Sequence, residues 1–170
     1  MAYQIHFQLV DDLLPHLDAT VGAITDPFVA SRYSGFLALS SATVLELCVK
    51  ELLIEHASAI SPVFGGFVSK IYERLNGRVK IRALKEEHLQ RYGARYTTHF
   101  TELLARIDRL TLRSQRHPIS QSYDNVITWR HGFAHEGNVP PHATYGDVRN
   151  AYIDSKLVVQ CLAKTLSKVR

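Results

Sequence analysis

The run Trp129-Arg130-His131-Gly132-Phe133-Ala134-His135-Glu136-Gly137 gathers one arginine, two histidines and two glycines near the end of a segment with helical periodicity. Arginine is a permanent planar cation that suits a phosphoryl oxygen, and imidazole moves protons near neutral pH. The pair therefore matches phosphodiester cleavage without a metal. In that reaction a ribose 2′-oxygen is deprotonated and attacks the adjacent phosphorus. His135 would serve as base or acid, and Arg130 would stabilise charge on the equatorial oxygens. The substrate must then be RNA, because DNA lacks the 2′-hydroxyl.

Geometry sets a condition. At about 100° per residue, Arg130 and His135 point roughly 140° apart on an ideal helix. They converge only if the helix bends or ends, which Gly132 and Gly137 would permit, or if a second copy supplies the other half in a symmetric dimer. Plainer roles compete. Arg130 could pair with Asp124 or Glu136, and His135 could simply favour the negative end of a helix. His131 and His135, four apart, have the spacing of a helical metal pair. No third ligand is spaced to complete it, so no metal or other cofactor is expected. Trp129 and Phe133 read as core or dimer contacts rather than base-stacking platforms.

The elements that must position these residues are helices. Tyr3, Phe7, Val10, Leu14, Leu17 and Val21 recur at helical spacing, although Tyr3, Ile5, Phe7 and Leu9 also alternate as in a strand; one helix over Tyr3 to Val21 is expected. Asp26-Pro27 marks the start of a long helix through Ala59, and Ser61-Pro62 repeats the signal for one from Val63 to Leu75, closed at Asn76-Gly77. A short basic helix spans Ile81 to Gln90. Another begins near Arg95, carries Phe100, Leu103, Leu104, Ile107, Leu110 and Leu112, and ends before His117-Pro118. Ile119, Tyr123, Val126, Ile127 and Ala134 form the apolar face of the helix that holds Arg130 and His135. Gly137, Pro140 and Pro141 end it, and Thr144 with Asp147 forms a capping box for a last helix through Leu166. The fold class is all-α, a bundle of about five to seven helices in a single domain over 1–170.

Charge is unevenly placed. Residues 1–67 carry two basic and seven acidic side chains, 68–117 carry twelve and five, and 118–170 carry six and four. The middle stretch is the candidate footprint for a phosphate backbone, with Arg74, Arg78, Lys80 and Arg82 as candidate RNA contacts. Glu73, Glu86 and Glu87 lie among these cations, so the same pattern also fits a solvated amphipathic surface. The two cysteines, Cys48 and Cys161, sit in apolar runs with no CxxC pair, which argues against a disulfide scaffold and for a reducing cytoplasm. No signal peptide is read at the N-terminus. The apolar stretch Phe36 to Ile54 is interrupted by Ser40, Ser41, Thr43, Glu46, Lys50 and Glu51, which is wrong for a membrane span.

The Arg-x4-His spacing of Arg130 and His135, late in an all-α chain before a final long helix, resembles the HEPN superfamily, most of all its RiboL-PSP-type branch. Phe67 to Leu104 resembles that branch more loosely. The resemblance implies a helical bundle that dimerises so that two Arg-x4-His motifs share one cleft. Members are commonly metal-independent endoribonucleases of toxin–antitoxin, abortive-infection and phage-defence systems. Carried over, Arg130 and His135 take the catalytic positions and His131 the polar position after the arginine. Glu46 matches an acidic residue on an earlier helix that faces the motif in some branches. The implied partners are RNA, a second copy, and a cognate antitoxin or defence-system protein. Relatives regulated by nucleotidyltransferase antitoxins carry Tyr two residues after the His. Position 137 here is Gly, so adenylylation there is not expected. Two rivals stand beside the nuclease: a HEPN-like module that binds nucleotide, RNA or a partner without cutting, and a generic helical partner-binding protein if the basic stretch lies far from Arg130.

Overall fold

A computed structural model describes residues 2–73, 77–115, 117–137, 140 and 143–168. Among these the chain is helical with no strand. A 3-10 segment, Ala2–Phe7, leads into α1 (Gln8–Asp11) and α2 (Leu14–Gly22), then α3 (Pro27–Ile60) and α4 (Pro62–Tyr72). A composite helix follows, made of α5 (Ile81–Ala83), a π-helical turn (Leu84–Leu89) and α6 (Gln90–Tyr92); α7 (Ala94–Gln115), α8 (Ile119–Glu136) and α9 (Tyr145–Lys168) complete the bundle. None of these helices is long and apolar enough to cross a membrane.

Helix α3 is central because α4, α8 and α9 all pack on it. Its first half buries small residues, Ser34, Gly35, Ala38, Ser41 and Ala42, around Leu37, and its second half buries Leu45, Val49, Leu52 and Leu53. One hydrophobic cluster joins Tyr3 at one end of the chain to Leu166 at the other. The capping signals act as their chemistry requires. The Asp26 carboxylate accepts from the Phe28 N–H at 2.8 Å. Thr144 and Asp147 close a reciprocal box: the Asp147 carboxylate accepts from the Thr144 N–H at 3.0 Å, and the Thr144 hydroxyl accepts from the Asp147 N–H at 3.2 Å.

Two expectations need correction. The N-terminal segment is not one helix, because Pro15 lacks the N–H needed to continue α1 into α2, so the chain turns at Asp12 and Leu13. The helical face is nonetheless right and the strand alternation wrong: Tyr3 and Phe7 are buried while Ile5 and Leu9 are exposed. On α7 and α8 the apolar faces stop short. Leu110, Leu112 and Ala134 are exposed, so the apolar spacing carries on past the buried stripe of each helix. Leu75 and Asn76, where the α4 helix was expected to close, lie outside the described residues.

The segment between α4 and α5 is clamped at two points. His88, on the π turn and buried, donates from Nε2 to the Arg78 carbonyl at 2.7 Å and accepts at Nδ1 from the Tyr72 hydroxyl at 3.1 Å. Asp124, on α8, accepts from the Ile81 N–H at 2.9 Å. Between these anchors and α4 lies Gly77, whose φ of 78° is left-handed.

Two outcomes follow from this packing. An added Cβ at Gly35 would sit 2.0 Å from the Phe133 ring, so Gly35→Ala should cost about 1–3 kcal/mol and lower Tm by several degrees. In a Phe133→Ala background the same substitution should instead stabilise, because alanine outranks glycine in a helix by about 1 kcal/mol; thermal unfolding of the four chains reads the sign reversal. Burial holds His88 below its ordinary pKa, so the folded chain refuses a proton that the unfolded chain accepts. Stability should be level above about pH 6.5 and decline as pH falls below it. Denaturant titrations of His88→Gln should show a shallower decline, with the part due to His56, also held low by burial, remaining.

Candidate functional site

Helix α8 runs antiparallel along α3, and the contacts between them place the candidate residues. Phe133 packs into the space over Gly35. One turn further on, Gly137 ends α8 in a left-handed conformation with its N–H on the Phe133 carbonyl at 3.0 Å. The Arg32 guanidinium, from α3, donates to the Gly137 carbonyl and stacks over the Phe28 ring with its carbon 4.5 Å from the centroid. The end of α8 that bears both histidines is thus pinned to α3.

Arg130 faces inward. Its Nη2 is 3.9 Å from Glu46 Oε1, with the two side chains 28% and 20% exposed. Of the two partners expected from spacing, Asp124 is engaged with the α5 backbone and Glu136 is exposed at the end of α8, so the pairing falls to Glu46 instead. Gly77 lies on top of the ion pair: a Cβ there would be 3.4 Å from Arg130 Nη1 and 3.8 Å from Glu46 Oε1. Burial raises the Glu46 carboxyl above its usual range, while the Arg130 cation and the Gly77 backbone oppose that rise. Arg130 Nε, Glu46 Oε1 and the fully buried Tyr123 hydroxyl have no hydrogen-bond partner among the described residues. Unpaired buried polar atoms cost about 1–3 kcal/mol each. Their concentration along one interhelical contact marks the kind of place where stability yields to function.

His131 and His135 sit apart from this pair. Both are exposed, with ring centroids 4.5 Å apart and planes tilted by 52°. Helix α8 continues unbroken through Gly132 to Glu136, so the bend that would have swung Arg130 toward His135 is absent, and Gly137 ends the helix only after both have been placed. Within one chain the structure therefore joins Arg130 to Glu46 and His135 to His131, and leaves the two pairs on different faces.

The basic stretch is not remote from Arg130, because Gly77 touches the ion pair and Arg78 and Lys80 follow it, both exposed. Arg78 Nη1 is 4.0 Å from Glu87, and Arg82, 85% exposed, pairs with Glu86 at 2.7 Å. Such exposed pairs hold their partners weakly. Arg74 lies outside the described residues. Sequence reasoning missed the positioning roles of His88, Asp124 and Arg32, which act through backbone carbonyls and N–H groups, and of Tyr72, whose hydroxyl supports His88. A partner that is backbone leaves no residue-type signature, and only Gly77 and Gly137, read as helix ends, hinted at it. Cys48 and Cys161 are buried, with thiols pushed up by burial to about 12 and about 11, so neither is a nucleophile.

Residues 5–168 match the model of the RiboL-PSP-HEPN family. Neither a curated protein nor a solved structure matches the chain significantly. The family match spans nearly every described helix, including the α3 and α8 segments that carry Glu46, Arg130, His131 and His135. An all-α bundle, a late Arg-x4-His on α8 and a match over almost its whole length lead to one conclusion: the chain belongs to the RiboL-PSP-HEPN family.

Proposed function

We propose that this protein is a metal-independent endoribonuclease that works as a symmetric dimer and acts as a toxin or phage-defence effector. Family membership supports a HEPN-type nuclease or RNA-related module. The observation that carries the finer reading is the split site on α8: an arginine held inward by Glu46, and an exposed imidazole pair one turn away. Each supplies half of a phosphodiester-cleaving centre, and a second copy would bring its own halves to the same cleft.

The chemistry assigns roles. A His135 imidazole takes the proton of the 2′-hydroxyl as the O2′–P bond forms, or, as imidazolium, protonates the departing O5′ as the P–O5′ bond breaks. The products are a 2′,3′-cyclic phosphate and a 5′-hydroxyl. Arg130 neutralises the charge that builds on the non-bridging oxygens. Glu46 fixes the guanidinium from behind, and His131 flanks His135. Arg78, Lys80 and Arg82, with Arg74, carry the RNA backbone toward Arg130. The rival reading is a HEPN-like module that binds RNA, nucleotide or a partner without cutting. The existing pairing of Arg130 with Glu46 favours it, since a neutralised arginine offers less to a phosphate.

Digestion of RNA by the purified protein in excess EDTA, with product ends mapped, separates the two. The nuclease gives cyclic-phosphate ends, and Arg130→Ala and His135→Ala each reduce the rate by roughly 100-fold or more. An inert wild type, or variants that cut as well as it does, would sink the nuclease and leave the module. Glu46→Gln keeps the shape and removes the charge. Its rate should fall by roughly 10–100-fold through loss of Arg130 placement, while dimer content measured by light scattering stays unchanged.

A further inference from the structure

We infer that His131 and His135 form a two-imidazole site for a divalent transition-metal cation, copper(II) or nickel(II) in preference to zinc, and that an ion bound there blocks the nuclease. The binding half stands on geometry alone; the blocking half rests on the role proposed for His135.

The two rings are four residues apart on an unbroken helix and open to solvent, where water ligands can complete a coordination sphere. Their centroids are 4.5 Å apart. Two imidazoles bound at about 2.0–2.1 Å per nitrogen place their ring centres roughly 4.5 Å apart when cis on a square or octahedral ion, and roughly 5.2 Å apart on a tetrahedral one. The spacing in this chain puts both rings within reach of one ion, and a two-imidazole set with open positions for water suits copper(II) and nickel(II). Copper(II) also heads the order of intrinsic affinity. The backbone beneath the rings is held on both sides, by Phe133 over Gly35 and by Arg32 on the Gly137 carbonyl, so only the two side chains remain to be ordered on binding.

With two protein ligands this is not a resident structural metal, which takes three or four. It is a site for exchangeable ions. A coordinated nitrogen has its lone pair in the metal bond and accepts no proton, so His135 would lose its function as a base for as long as the ion stays.

Calorimetric titration of the full chain, stripped with EDTA and dialysed, with copper(II), nickel(II) and zinc(II) chlorides tests the binding. One ion per chain is expected, with copper tighter than nickel and zinc weakest. His131→Ala and His135→Ala should each weaken copper and nickel at least tenfold, and His16→Ala, an exposed histidine elsewhere, should not. Electron paramagnetic resonance of the copper complex should show two imidazole nitrogens in the wild type and one in either α8 variant. Equal binding by all four chains, no binding, or zinc tightest overturns the site. For the blocking half, nickel should stop RNA cleavage by the wild type, EDTA should restore it, and the activity left in His131→Ala should need at least tenfold more nickel. Cleavage unchanged with the pair occupied overturns that half. A wild type that never cuts RNA in EDTA removes the nuclease and the blocking half with it, while the titration still decides the site.

Discussion

Helix α8 touches α3 at three levels, and each fixes a different part of the candidate site. At its end, Arg32 holds the Gly137 carbonyl; one turn earlier Phe133 fills the space over Gly35; beyond that Arg130 meets Glu46. The middle contact governs the other two. A ring seated where any Cβ would collide leaves α8 one axial and rotational setting along α3, because close-packed interiors do not deform continuously. That setting turns Arg130 toward Glu46 and the two histidines toward solvent. Small residues on the first half of α3 matter here less for their own burial than for the approach they allow.

The ion pair is then enclosed from a third side. Gly77 reaches it through a segment whose backbone is pinned by His88 and by Asp124, one on the π turn and one on α8 itself. A π turn inserts an extra residue into a helix and so shifts side chains relative to a regular α-helix. His88 sits on that turn with both ring nitrogens engaged, by a carbonyl and by a hydroxyl. The tautomer is thereby set, since the carbonyl only accepts and Nε2 must carry the hydrogen. Burial that disfavours the charged imidazole supports the same state. A neutral histidine, hydrogen-bonded at both nitrogens, holds the segment that carries Arg78 and Lys80 beside Arg130 without adding a further positive charge.

Much of this bundle could be read from residue types, because helix ends carry local chemistry. Asp26-Pro27, Thr144 with Asp147, and Gly137 each perform a bonding task that needs no distant partner, and the buried faces of α8 and α9 follow from apolar spacing. The Arg-x4-His spacing and the acidic Glu46 were legible as well, the first from side-chain chemistry and the second through the family resemblance. What could not be read depended on long-range backbone contacts. Nothing in Leu84 to Leu89 announces a π turn, and nothing in Arg32 announces a grip on a carbonyl 105 residues away. The N-terminal segment was misread for a related reason. Its buried stripe is helical throughout, but a stripe persists across a turn when both pieces pack on the same core, so periodicity alone did not reveal the break before Pro15.

The division between an inward arginine and outward histidines has a physical logic. A guanidinium keeps its charge under burial and gains from a low dielectric, provided a carboxylate stands near, whereas an imidazole that must exchange protons needs access to solvent or substrate. One helix meets both demands by using two of its faces, and the roughly 140° between positions five apart becomes a means of keeping the environments separate. Glu46 then has two opposed effects on Arg130. It draws the guanidinium into place, and it competes with any phosphate for the same donors. A 3.9 Å separation between Nη2 and Oε1 with both side chains partly exposed is a loose pairing, and the Arg130 Nε is engaged by neither Glu46 nor any other described residue. An incoming anion therefore meets an arginine that is oriented but not saturated, which is the balance a site must strike if the same contact is to preorganise the cation and still yield it to substrate.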